Sequence, residues 1–242
     1  MTGAAPAPSP PPEQGPSGPS SGEVRPPEIY ADTSSRLLAL GRQLDEADGS
    51  VATPACAGWT VHDVFAHLSG LVADVLAGRL EGVATPPWTA RQVDERRDVP
   101  LGAVLDEWEA ALPGFVEFYA AFSPDRAPPA LDVVTHEQDI RGGLGRPGAR
   151  DSVGVVYLAE RAAAFASGRF AAAGVGPVRL GRHGPTDGSA VLAVDVSDFE
   201  LGRGIMGRRS LAQLRAWPWE GDPSPVLDHL TLFPPSILDV VD

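Results

Sequence analysis

Apolar residues recur at helical spacing over most of the chain between Ile29 and about Ala173. Leu37, Leu40 and Leu44 predict a first helix over about residues 30–47, ending near Gly49. The next helix has the clearest start signal. Thr60 stands at the N-cap with Asp63 three residues on, a capping-box variant, and Trp59 is placed to staple onto Val64. Val61, Val64, Phe65, Leu68, Leu71, Val72 and Val75 then line one face. Pro86-Pro87 break the pattern before a short helix predicted over Thr89–Arg96. A third long helix is predicted from Leu101 to Phe122, with Pro113 expected to kink or interrupt it. A fourth follows Pro128-Pro129 and is expected to end by Gly142-Gly143, and Val153–Ala172 is periodic again.

After Gly174 the texture changes. Val178–Leu180 and Val191–Val196 are short, β-branched or alternating runs separated by turn residues. Asp198–Met206 and Ser210–Ala216 read as helices, and Thr231–Phe233 as a short strand. The fold class is therefore α+β, a helical bundle over 28–173 followed by a small α+β unit over 174–242. A core that small is marginal by itself and should dock on the helices. Residues 1–27 are low-complexity Pro/Ser/Gly sequence, expected to form a disordered tail because they offer too little apolar surface to offset ordering entropy.

Composition narrows the functional classes. The chain has 242 residues and a formal net charge of −13, which weighs against nucleic-acid partners and against docking on anionic membranes. All 19 basic residues are arginine, so Schiff-base and P-loop lysine chemistry are excluded. The single cysteine, Cys56, rules out an internal disulfide framework within this sequence and any multi-cysteine zinc site. No apolar run is long enough to span a bilayer and no signal peptide is evident, so a cytoplasmic location is expected.

The chemistry-bearing residues cluster on two helices. His67 lies at the margin of the apolar stripe of the second helix, with Asp63 one turn before it and Asp74 two turns after. Asp132, His136 and Asp139 follow an i, i+4, i+7 spacing that stacks them on one face of the fourth. Two imidazoles and a carboxylate on facing helices are how bundles build metal sites. They suit Zn²⁺, with ligands at about 2.0–2.2 Å and an open position when only three come from the protein. The same residues also fit a plain packed core, since Asp-x-x-x-His is a common local hydrogen bond. Asp63 and Asp139 are candidate supports for the histidines. His62, His183 and His229 read as structural or exposed.

The segment Cys56-Ala-Gly-Trp-Thr-Val-His-Asp-Val-Phe-Ala-His67-Leu resembles the C-x-G-W-[ST]-V-x-D-V-x-A-H-L opening of mycothiol-dependent maleylpyruvate isomerase-like proteins, in the DinB-like four-helix metalloprotein superfamily. Trp88-Thr-Ala-Arg-Gln-Val-Asp-Glu-Arg, Leu105-Asp-Glu-Trp108, Asp132-Val-Val-Thr-His136-Glu-Gln-Asp139-Ile-Arg141 and Phe199-Glu-Leu-Gly-Arg-Gly-Ile-Met-Gly207-Arg-Arg-Ser are similar to later family segments. The resemblance implies a DinB-like up-down bundle, a sterol-carrier-like C-terminal unit, and a divalent metal, usually zinc. Its ligands would be His67, Asp132 and His136, with Asp132 in place of the glutamate of the characterised isomerase.

It further implies mycothiol as thiol co-substrate, deprotonated at the metal and attacking a small electrophile. Rotation about a former double bond and loss of the thiol would be isomerisation; keeping the adduct would be S-transfer. Trp88, Arg91, Gln92, Arg96 and Arg141 are candidates to hold the thiol or a substrate carboxylate, although the plainer reading of the arginines is a solvated surface. Cys56 reads as a structural thiol, because the sulfur comes from the co-substrate. Two other classes stand beside the enzyme: a non-catalytic metal- or thiol-binding sensor or regulatory module, and a metal-free homologue with packed histidines. Substrate identity and oligomeric state are not encoded in any motif found.

Overall fold

The computed structural model describes residues 24–242; most of the expected tail, residues 1–23, lies outside them. Among the described residues are ten helices and two short strands. Four long helices, α1 (Pro26–Gly41), α3 (Val61–Leu76), α5 (Leu101–Phe122) and α6 (Pro128–Leu144), pack into a bundle, and α4 (Pro86–Asp94) lies against α3. Between α1 and α3, the single turn α2 (Glu46–Gly49) stands apart. The first helix was expected to run to residue 47, but the Asp45 carboxylate accepts the Asp48 N–H and starts a separate turn.

Several boundaries moved because proline is welcome in a first turn, where its missing N–H has no partner to lose. Pro26-Pro27 and Pro86-Pro87 sit inside the first turns of α1 and α4. Helix α3 begins as expected: Thr60 Oγ1 accepts the Asp63 N–H at 3.2 Å, and the Asp63 carboxylate accepts the Thr60 N–H at 2.8 Å. Pro113 does not interrupt α5. Pro113 and Glu109 are both exposed, so the carbonyl that loses its donor faces water.

Trp108, Phe65, Leu37, Leu68, Leu105 and Ile140 fill the bundle and are fully buried. Each such side chain contributes roughly 1.5–3 kcal/mol of transfer free energy.

Helix α7 (Val153–Ala172) belongs to two cores. Val155 and Leu158 join the bundle; Ala159, Ala162, Ala163, Ala166 and Phe170 face the remaining elements. That second core takes in β1 (Val178–Leu180), β2 (Leu192–Val194), α8 (Asp198–Ile205), α9 (Leu211–Arg215) and α10 (Ser224–Leu230). The alanines let α8 lie close along α7, the most extensive helix contact outside the bundle. The strands pair in parallel, Val178 opposite Leu192 and Leu180 opposite Val194. Thr231–Phe233 is not a strand: it follows α10, a helix the sequence pattern did not disclose, and its residues are largely exposed with no ladder to join. No described helix is long and apolar enough to cross a membrane.

Candidate metal centre

His67 projects from α3 and is 4% exposed. Its Nδ1 meets Gln92 Oε1 of α4 at 2.8 Å, while Gln92 Nε2 donates to Asp74 Oδ2 at 2.9 Å. Because the amide NH₂ is committed to a carboxylate, Oε1 must face the imidazole and Nδ1 must carry the proton. Nε2 is left with its lone pair. Helix α4 reaches this position because α3 has Gly70 beneath it: a Cβ there would lie 2.5 Å from Gln92 Cβ. Asp74 is fully buried and also accepts from Arg79 at 2.6 Å and Arg91 at 3.0 Å. Burial works against its ionisation, but Gln92, Arg91 and Arg79 hold its pKa below the usual carboxylate range.

His136, on α6, is supported from the other side. Its Nδ1 is 3.0 Å from Asp139 Oδ2, one turn on. Both imidazole Nε2 atoms turn to Asp132, His67 at 3.3 Å from Oδ2 and His136 at 3.5 Å from Oδ1. Asp132 Oδ2 is buried with no hydrogen-bond partner. A ring nitrogen bearing a lone pair, set against an unpaired carboxylate oxygen, is repulsive unless a proton or cation lies between them. Ligand atoms of His67, Asp132 and His136 all fall within 4.8 Å of one another. This donor set fits a divalent ion of borderline softness. Charge is already accumulated for one: burial opposes ionisation of Asp132, yet His136 and His67 draw its pKa far down, and Asp132 and Asp139 raise that of His136 well above normal against its burial.

Asp139 is the hub of the outer layer. Its Oδ2 also accepts from Arg208 Nη2 and from the Cys56 thiol, both at 3.1 Å, and its Oδ1 accepts from the buried Arg203. Burial disfavours its charge, but Arg208 and Arg203 keep its pKa well below the ordinary value. Cys56, His136 and Asp139 form a second cluster of possible ligands. Two guanidiniums already neutralise Asp139 there, so the His67–Asp132–His136 set is the better cation site. Trp59 covers both imidazoles, its ring centroid 5.5 Å from His67 and 6.2 Å, nearly parallel, from His136.

The candidate residues are thus sorted. His67, Asp132, His136 and Asp139 come together. Asp63 does not; its carboxylate is spent on the Thr60 cap. Trp88 is a bundle-core residue whose Nε1 donates to the Arg79 carbonyl. Gln92 orients His67, a different task from binding a substrate. Arg91 pairs with Asp74, Arg96 is clamped by Glu107 with both contacts at 2.6 Å, and Arg141 pairs with the buried Glu137. Carboxylates of α3 and α5 engage Arg91 and Arg96, and one on its own helix engages Arg141.

Cys56, Trp59, Arg203, Arg208 and Asp242 were not assigned to the centre from sequence. The Cys56-x-Gly-Trp59 opening and the Phe199–Ser210 segment were the signals that pointed toward part of this layer. His62 and His183 lie elsewhere, bonded to the Val99 carbonyl and to Asp198.

Residues 30–146, spanning nearly all of α1 through the end of α6, match the family model described as the mycothiol maleylpyruvate isomerase N-terminal domain. Comparison with curated proteins gives no match, and neither does comparison with solved structures.

Proposed function

The segment 30–146 belongs to the mycothiol maleylpyruvate isomerase N-terminal domain family, and on that premise we propose that this chain is a mycothiol-dependent metalloenzyme of isomerase or thiol S-transferase type. Its substrate would be a small electrophile, and its cation, zinc by donor chemistry, would be held by His67, Asp132 and His136. The observation that carries the reading is the convergence of two imidazole Nε2 atoms on a carboxylate with a buried, unpaired oxygen. When bound, the cation supplies Lewis acidity and lowers the pKa of a coordinated thiol, so that sulfur is delivered as thiolate.

The chain's own residues do the rest. Gln92 and Asp139 hold the two Nδ1 protons and so keep both Nε2 lone pairs on the same side. Trp59 shields the imidazoles from water, which strengthens electrostatic interaction at the centre. Asp132 is shorter by one methylene than the family's glutamate, and here it spans both histidines from one helical turn before His136. Arg208 stands beside Asp139 and Cys56 at the edge of the cluster, where its charge offsets that of Asp139.

Metal content of wild type and His136→Ala, purified without added metal, tests the site. Stoichiometric metal in wild type, lost in the variant with an unchanged helical spectrum, is expected. Equal content in both would sink it. Calorimetric titration of the metal-loaded protein with mycothiol and with glutathione tests the thiol. Heat with mycothiol alone is expected, and no heat with either removes the thiol-dependent reading.

A further inference from the structure

The metal reading leaves one buried assembly without a role. On the far side of Asp139 from His136 lies Arg203 of α8, 1% exposed. Its Nη1 donates to Asp139, while its Nε and Nη2 donate to the two carboxylate oxygens of Asp242 at 3.0 and 2.6 Å. Arg209 Nη1 adds a third contact to Asp242 at 2.7 Å. The Asp242 side chain is 4% exposed. Its seat is on α6 itself: a Cβ at Gly142 would lie 2.7 Å from Asp242 Oδ1 and 3.5 Å from its Cα. Gly142 is one turn beyond Asp139, on the helix that carries Asp132 and His136.

A carboxylate from the far end of the sequence therefore rests in a notch of the metal helix. Three ionic contacts in series, Asp242–Arg203, Arg203–Asp139 and Asp139–His136, connect it to an imidazole. A guanidinium gripped along its Nε–Nη2 edge has its plane fixed, because the fork is rigid. The direction in which Arg203 presents Nη1 to Asp139 is then fixed too. Asp139 in turn orients His136. The charge acts in the same sense: with Asp242 neutral, Arg203 would bear on Asp139 unopposed. That would weaken the carboxylate as acceptor for Nδ1–H and add positive potential close to the cation.

We propose that Asp242 is a positioning residue of the metal centre: seated at Gly142, it clamps Arg203 and, through Arg203 and Asp139, sets His136 as a ligand. This rests on the reading that His67, Asp132 and His136 hold a cation. It assigns the segment after α10 a part in building the centre.

The test uses the full chain and zinc alone, with affinity read by competition against a chromophoric chelator. Asp242→Asn should bind zinc about tenfold more weakly, as is usual for outer-layer partners of metal ligands. Gly142→Ala should do the same by displacing the carboxylate while leaving every charge in place, and it carries the test if Asp242→Asn does not fold. Arg150 donates to the main-chain oxygen of Asp242 at 2.7 Å, tying down the same segment outside the carboxylate relay. Arg150→Met should bind zinc like wild type. Imidazole ¹H–¹⁵N spectra supply a readout that stability alone would not move: the His136 Nδ1–H resonance should shift in Asp242→Asn and stay in Arg150→Met.

Wild-type zinc affinity in both Asp242→Asn and Gly142→Ala would overturn the proposal. So would an equal loss in Arg150→Met, since tethering would then matter and the carboxylate would not. Zinc binding absent from wild type itself would remove the metal reading and this proposal with it, a result distinct from wild-type binding that ignores position 242.

Discussion

The two histidines of the centre are supported in opposite ways. His67 is held by a neutral amide, Gln92, backed by Asp74, Arg79 and Arg91, all within residues 67–92 of the bundle. His136 is held by a carboxylate, Asp139, backed by Arg203 and Arg208 from α8 and the segment after it. The first support is local and ends in partly exposed arginines. The second is buried, ionic and assembled from residues more than 60 positions apart. A bundle alone can orient His67. Orienting His136 as the structure has it requires the elements after α7. The family match covers the bundle side and stops at residue 146, short of the elements that complete the other.

Substitutions on the two sides should break this comparison unequally. Asp139→Ala has the largest expected effect, since it removes the buried carboxylate that two guanidiniums and an imidazole share. Breaking a buried pair in this way costs about 3–5 kcal/mol, and urea unfolding should find a loss of that order. Zinc affinity should also fall by about 10–100-fold. If Asp139→Ala unfolds like wild type, the ionic side is not what holds the second core to the bundle.

Gln92→Leu comes next. It leaves one buried Nδ1–H without a partner, a cost of about 1–3 kcal/mol, while Asp74 keeps Arg91 and Arg79. Zinc binding should weaken about tenfold. A loss equal to that of Asp139→Ala would erase the asymmetry.

The smallest effect lies away from the centre. Arg96, with Ser69, holds the Glu107 carboxylate below its ordinary pKa of 4.5, against a desolvation that acts the other way. A depressed carboxylate stabilises the fold above its unfolded pKa, and that contribution is lost as pH falls through the folded value. Glu107→Gln should therefore be less stable than wild type at pH 7, with the gap closing below about pH 4.5. Glu107 is 42% exposed, so solvent screening keeps the gap under about 1 kcal/mol. Urea melts from pH 7 to pH 3 would show it. A gap that grows on acidification would contradict the assignment.

Much of the centre was legible because it is local. The spacing of Asp132, His136 and Asp139 places them on one face in any α-helix, and the Thr60–Asp63 cap sets the phase of α3 and so the side on which His67 emerges. The setting of the arginines was not legible, for a physical reason. A guanidinium in a sequence looks available, and only packing reveals the carboxylate that has claimed it, as Glu107 claims Arg96 and Glu137 claims Arg141. The contact of Gln92 with His67 has no sequence signal, because the gap at Gly70 that admits α4 to His67 exists only once the two helices meet.

The sequence by itself determined the long helices, their apolar faces and three side chains able to share an ion, since helical period and capping act within a few residues. The tertiary structure decided which charges stand behind those side chains. Arg203 reaches Asp139 across 64 positions of chain, and Asp242 reaches Arg203 across 39. Contacts of that range depend on how the alanine face of α7 seats α8 and on a missing side chain at Gly142, and neither has a periodicity to read.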